Sequence, residues 1–342
     1  MSASPTPATD TVSAATSPRE ALFGHEPARP ALPVVDHYCG VEARMRKSLA
    51  LQAELGPVFD ITLDAEDGAP VGGEADHALL ISELASSAAN RFGRVGARVH
   101  PYGHEAFEAD VDTLVGRAGS RLAYLMIPKP GSAEDVERAV ATIDEACERH
   151  GAPQLPLQVL IETHGALRDA FRIASHPRIE SLSFGLMDFV SAHGGAIPKA
   201  AMELPGQFEH PLVVRAKLEV AAAAHAYGKT PSHCVVTEFR DSARLADAAR
   251  RAAREFGYTR MWSIHPDQIR PIVEAFAPAS DEVEEAAELL LAAQAADWAP
   301  TSFRDRLHDR ASYRYFWTVL ERAERTGRPL PAEARRAFFP SL

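Results

Sequence analysis

The 342-residue sequence predicts an α/β chain closed into a (β/α)8 barrel, the TIM barrel, on three observations. Short apolar runs alternate with longer Ala-rich segments of helical period, the pattern of parallel strands joined by crossover helices. Eight such units fit into about 250 residues, the usual size of this barrel. No G-x-G-x-x-G follows any of the runs, as the first turn of an open doubly wound sheet would call for.

The elements follow from their composition. "PVVDHYC", ending at Cys39, and "VFDITLD", ending at Asp64, are dense in the β-branched and aromatic residues that suit a strand. "VGARVH" ends at His100, and "LAYLMIP" ends at Pro128, which cannot donate to a ladder. Helices are read in "EARMRKSLALQAEL" and "EADHALLISELASSAANRF", rich in Ala, Leu, Glu and Arg. "PLQVLIE", "ESLSFG", "HCVVTE" and "MWSI" supply strands five to eight, separated by "ALRDAFRIAS", "PLVVRAKLEVAAAAHAYG" and "DSARLADAARRAAREFG". The barrel is expected over residues 31–278. Residues 1–30, rich in Ser, Thr, Ala and Pro with no continuous apolar stretch, are expected as a flexible, disordered tail rather than a secretory signal. Residues 279–342 are expected as a C-terminal helical extension.

Hydrophobic residues make up 46% and charged residues 24%, enough apolar side chain for one large core or two modest ones. A formal net charge of −11 argues against nucleic acid or an anionic membrane surface as a partner. Cys39, Cys147 and Cys234 are scattered without a C-x-x-C pair, so neither a disulfide framework nor a zinc site is expected. No apolar stretch is long enough to cross a membrane, and a cytoplasmic location is expected.

Active sites in this barrel collect at the carboxyl ends of the strands. There the sequence places Asp64, Glu66 and Asp67 after strand two, Arg98 on strand three, Lys129 after strand four, Glu162 after strand five, Asp188 past strand six and His265 after strand eight. Crowded carboxylates in a closed site repel one another unless a cation or proton lies between them. A hard divalent cation, Mg2+ or Mn2+, takes one or two protein carboxylates and fills its other positions with water and substrate oxygens, which fits Glu162 and Asp188 on neighbouring strands. Arg98 needs an anion and is suited to clasp a substrate carboxylate with two donors. Plainer roles stand beside these. Either acid could cap the helix after it, and "DAEDGAP" reads equally well as a solvated turn. Lys129, between two prolines, could extend to solvent, and His265 before Pro266 could cap the last barrel helix. His100, His164 and His193 match no zinc spacing and are expected to hydrogen bond.

Six motifs occur in one order: "DAEDGAP" at 64–70, "ARVHP" at 97–101, "YLMIPKP" at 124–130, "LIET" at 160–163, "SFGLMDF" at 183–189 and "SIHPDQI" at 263–269. In that order they resemble the citrate lyase beta subunit and malyl-CoA lyase-like proteins of the HpcH/HpaI aldolase superfamily, over residues 33–290. The resemblance implies a magnesium-dependent barrel, trimeric or hexameric, that cleaves or forms a carbon–carbon bond next to a carbonyl. It makes Glu162 and Asp188 the metal ligands, with Glu162 also beside the substrate. It makes Arg98 the residue that binds substrate oxygens, and Asp64, Glu66 and Asp67 shape the rim beside it. Arg98, Asp64 and Glu66 form the candidate catalytic set.

The chain also departs from that pattern. His100 stands where the family carries Asn, Arg260 and Met261 replace a Gly-Lys stretch, and the first strand lacks an Arg-Ser opening. "ADWAPTSFRDRLHDRASYRYFW" replaces a glycine-rich lid whose aspartate acts across a subunit boundary. That stretch is read as a basic aromatic helix packing on a neighbour, with Asp305 and Asp309 outside the candidate set, and it puts coenzyme A in question. The expected function is a Mg-dependent carbon–carbon lyase of the citrate lyase beta/malyl-CoA lyase type, cleaving a 3-hydroxyacyl-CoA thioester into an oxo acid and an acyl-CoA. The alternatives are a pyruvate-type aldolase acting on a free 4-hydroxy-2-oxo acid and a noncatalytic metal-binding barrel subunit.

Overall fold

Eight parallel strands pair in sequence order, and the last closes on the first. They are β1 (Val35–Cys39), β2 (Phe59–Asp64), β3 (Val95–Arg98), β4 (Leu125–Ile127), β5 (Leu157–Ile161), β6 (Ile179–Phe184), β7 (Thr230–His233) and β8 (Arg260–Ser263). The computed structural model describes residues 17–26 and 28–340. The chain divides into two compact units, one holding the barrel (Arg29–Ala277 with Arg325–Gly327) and the other built from the two ends of the chain.

Alternation along each strand sorts residues between two cores. Outward-facing Val35, Ile61, Leu63, Val95, Ala97, Leu125, Ile127, Val159 and Ile161 join one large apolar cluster with the surrounding helices. Ala133–His150 shows how such a helix is specified. Ser132 accepts a hydrogen bond from the Asp135 N–H, acids fill the first turn, Arg149 and His150 the last, and Gly151 ends it at φ 62°. Its buried Val136, Ala139, Val140, Ile143 and Cys147 recur at helical spacing.

The barrel interior is layered. Asp36, Asp60 and Arg260 are wholly buried. Arg260 pairs with Asp60 and lies 3.1 Å from Asp36, and Arg94 lies 2.7 Å from Asp60. Tyr38, Met126, Leu160 and Trp262, further along their strands, form an apolar layer in which Tyr38 stacks on Trp262 with centroids 4.0 Å apart. The next inward step reaches Asp64, Arg98 and Glu162. Arg260, which replaces the family's Gly-Lys stretch, therefore belongs to the buried layer and not to the rim.

Strands β4, β5, β6 and β8 each end one residue before the expected position, and two others differ more. β3 stops at Arg98 rather than His100, and β7 lies at Thr230–His233, whereas the apolar reading chose "HCVVTE". The observed strand, "TPSH", is polar yet fully buried. Apolar Cys234 and Val236, which drew the reading, are buried just outside the ladder.

In the second unit, helices Ser280–Ala295, Arg310–Arg325 and Ala332–Phe338 accompany a hairpin of Thr301–Phe303 and Arg306–His308. The extension expected to be helical thus contains a small sheet. Its two-residue turn, Arg304 and Asp305, has φ 48° and 59°, the left-handed backbone that suits a tight hairpin. Within the stretch expected as a flexible tail, Pro18–Phe23 is a helix capped by Ser17. Its Leu22 is fully buried with Val283, Leu290, Tyr313 and Leu320, and this burial orders the segment. Residues 1–16, the greater part of that tail, lie outside the described residues. Among the described residues no helix is long and apolar enough to cross a membrane.

Candidate active site at the carboxyl rim of the barrel

The register pairs Asp64 with Arg98 at the ends of β2 and β3, so both side chains emerge inward at one level. Arg98 donates from Nε to Asp64 Oδ1 (2.7 Å) and from Nη2 to Oδ2 (2.5 Å), and its Nη1 lies 3.0 Å from Glu66 Oε2. Asp64 also accepts from the backbone N–H groups of Glu66 (3.0 Å) and Gly68 (2.8 Å). "DAEDG" is therefore both turn and site. A Cβ at position 68 would stand 2.3 Å from Asp64 Oδ2, so any larger residue there would displace the carboxylate. The two-pronged clasp expected for a substrate carboxylate is made here with Asp64. Two of the five guanidinium N–H donors are spent on Asp64, and Nη1 meets Glu66 as an ion pair without a hydrogen bond.

Glu162, just past β5, is 2% exposed. The Lys129 N–H donates to its Oε1 (2.9 Å), and Gly185 crowds its other oxygen so closely that a Cβ would stand 2.3 Å away. It does not cap the next helix. Thr163 does so, accepting from the Ala166 N–H at 3.0 Å. Burial pushes the Glu162 carboxyl well above the ordinary range, and the neighbouring charge of Asp188 pushes it further. Asp188 sits in the first turn of helix Leu186–Ser191 with its side chain 42% exposed.

Lys129 does not extend to solvent as the sequence suggested. Its Nζ contacts Glu66 Oε1, lies 2.6 Å from Asp67 Oδ2 and reaches Asp188 Oδ1 at 3.7 Å. Burial works against its ammonium, but hydrogen bonds to Asp67 and Glu66 outweigh that and raise its pKa. More acids than Arg98 can pair with on the same rim was the signal that could have found it. His265 caps the turn after β8, accepting from the Asp267 N–H at 3.2 Å. The other histidines hydrogen bond: His100 Nδ1 donates to Asp110 (2.6 Å), His193 Nδ1 to the Phe189 carbonyl (2.7 Å) and His164 Nε2 to the Ala192 carbonyl (3.3 Å).

Among the described residues no three His, Cys, Asp or Glu side chains gather as a metal-binding group. What the rim offers a metal is a pair of carboxylates from adjacent strand ends, an all-oxygen set that suits a hard cation able to keep water and substrate oxygens.

Residues 52–266 match the family model described as HpcH/HpaI aldolase/citrate lyase. An L-malyl-CoA/beta-methylmalyl-CoA lyase of Cereibacter sphaeroides is 30% identical over 319 residues, 88% of this chain and 98% of its own. A crystal structure of a citrate lyase from Burkholderia xenovorans LB400 is 55% identical with a TM-score of 0.83, and the match covers 95% of this chain and 99% of that one. Protein CitE from Mycobacterium tuberculosis, in complex with magnesium, acetoacetate and coenzyme A, shares the fold at 21% identity and a TM-score of 0.66, over 86% of this chain and 99% of that one. With the barrel closed, the six motifs on one rim and lyases as relatives, this chain is an enzyme, a carbon–carbon lyase belonging to the HpcH/HpaI aldolase/citrate lyase family.

Proposed function

We propose that the chain is a divalent-cation-dependent lyase that cleaves a 3-hydroxyacyl thioester of coenzyme A into an oxo acid and an acyl-CoA. The observation that carries the reading is buried Glu162, held by the Lys129 N–H at 2.9 Å, with Asp188 just past the adjacent strand and 3.7 Å from the Lys129 ammonium. Two neighbouring carboxylates, one desolvated, fit a divalent cation that lies between them. Glu162 and Asp188 would hold it. When bound, the cation supplies Lewis acidity to the oxygens of the substrate.

The chain's own residues do the rest. The Lys129 amide and the bare Gly185 backbone fix Glu162. Asp64 and Glu66 direct their oxygens to Arg98, Lys129 and backbone N–H groups, so they hold Arg98 in place. The guanidinium donors of Arg98 not bonded to Asp64 then meet the negative oxygen that develops as the carbon–carbon bond breaks. Tyr38 and Trp262, stacked in the layer beneath, exclude water from the floor. The thioester is supported by the malyl-CoA lyase relative, which aligns with 88% of this chain. A homotrimer or hexamer is part of the same proposal, to be read by light scattering.

The test incubates the purified chain and Mg2+ with a malyl-CoA-type thioester and, separately, with a free 4-hydroxy-2-oxo acid, trapping released oxo acid as its phenylhydrazone. Release from the thioester, stopped by EDTA and restored by Mg2+ or Mn2+, is the expected result. Release from the free acid alone identifies the pyruvate-type aldolase. Cation binding without release from either identifies a noncatalytic barrel.

A further inference from the structure

Five carboxylates crowd this rim, and only some of them can face a cation if positions are to remain for substrate. Arg98 engages Asp64 and Glu66, while Lys129 engages Glu66 and Asp67. Those two cations cover the three acids at the end of β2 and in the loop after it and leave Glu162 and Asp188 as the pair. Glu162 is touched by Lys129 only through the backbone N–H, at 2.9 Å, and Asp188 lies 3.7 Å from the ammonium, beyond a close hydrogen bond.

The backbone at this residue is unusual. Lys129 has φ 48°, a left-handed conformation that L-residues other than Asn and Asp seldom adopt, and it stands between Pro128 and Pro130. That conformation lets one residue send its amide to Glu162 and its ammonium to Glu66 and Asp67. Strain of this kind persists where surrounding contacts over-determine it, and here those contacts are with the candidate site.

Resting on the cation site proposed above, we propose that Lys129 is a positioning residue that withholds Glu66 and Asp67 from the cation, so that Glu162 and Asp188 alone bind it and positions stay open for substrate oxygens. Without the ammonium, two further carboxylates turn toward the cation. Affinity rises, because a positive charge is removed and ligands are added, while room for the substrate is lost.

Mn2+ is the probe, followed by calorimetry and by water-proton relaxation, which counts exchanging waters on the bound ion. Lys129→Met is expected to bind Mn2+ more tightly, by on the order of tenfold, since a neighbouring unit charge is removed. It should show fewer exchanging waters and a lower kcat/KM. Lys129→Arg should keep wild-type affinity. Asp67→Asn in the Lys129→Met background should return affinity toward wild type, a reversal that a merely structural lysine does not produce. Lys129→Gln gives the same reading should methionine not be tolerated. Unchanged or weaker Mn2+ binding by the variant, with wild-type binding intact, overturns the role of Lys129 alone. A wild-type chain that takes no Mn2+ overturns the cation site, and this inference with it.

Discussion

Lys217, on helix Pro211–Ala226, exposes none of its surface, and its Nζ lies 3.1 Å from Gln207 Oε1 and 4.0 Å from the centroid of the Phe208 ring. Burial lowers its pKa from 10.5 to about 8. The folded value is below the unfolded one, so between about pH 8 and 10.5 the unfolded chain binds more protons and stability rises with pH. Below that window the full penalty applies, on the order of 3 kcal/mol. Lys217→Met should flatten stability across this window, as denaturant midpoints measured at several pH values would show. At the rim, Glu162→Gln keeps the shape of the side chain and removes the charge. Outer-shell partners of a metal site typically cost 10–100-fold, so loss of a ligand should weaken Mn2+ binding by at least about 100-fold and turnover with it. Calorimetry measures the first effect and oxo-acid release the second. At this scale the acids and Arg98 were legible in the sequence because they stand at the ends of recognisable strands. The partner of Arg98 was not, because "DAEDG" and "ARV" meet only through the register of β2 on β3.

At the scale of elements, the turn from β6 into helix Leu186–Ser191 depends on Gly185. A Cβ there would stand 2.3 Å from Glu162 Oε2, and the carboxylate would have to move. Gly185→Ala should therefore lose most cation binding while the barrel still unfolds cooperatively, a contrast that Mn2+ titration and circular dichroism of the same variant resolve. Strands β1, β2 and β5 were legible because Val35 and Tyr38, Phe59, Ile61 and Leu63, and Leu157, Val159 and Ile161 supply apolar, strand-favouring side chains on either side of the buried polar residues between them. β7 was not. Its "TPSH" places Ser232 and His233 in a buried ladder, and side-chain polarity alone points away from a strand. Helix Pro18–Phe23 escaped for a related reason: a short segment of modest propensity forms because Leu22 finds a core in residues far along the chain.

For the whole molecule, the barrel is held at its centre by charge as well as by apolar packing. Arg260 neutralises Asp36 and Asp60 with no solvent access to any of the three. Arg260→Met should cost about 3–5 kcal/mol because it strands buried carboxylates. Adding Asp36→Asn and Asp60→Asn should recover part of that, and urea midpoints of the three proteins test both. The sequence by itself determined the eightfold alternation, the motif order and hence the family, since hydrophobic period and residue type are local properties. Only the tertiary structure decided that Asp64 occupies the prongs of Arg98, that Lys129 turns inward among acids and that Arg260 lies beneath the rim. The physical reason is that a charge in a nearly closed site takes whichever opposite charge strand register brings within hydrogen-bond reach, and register is a relation between distant segments.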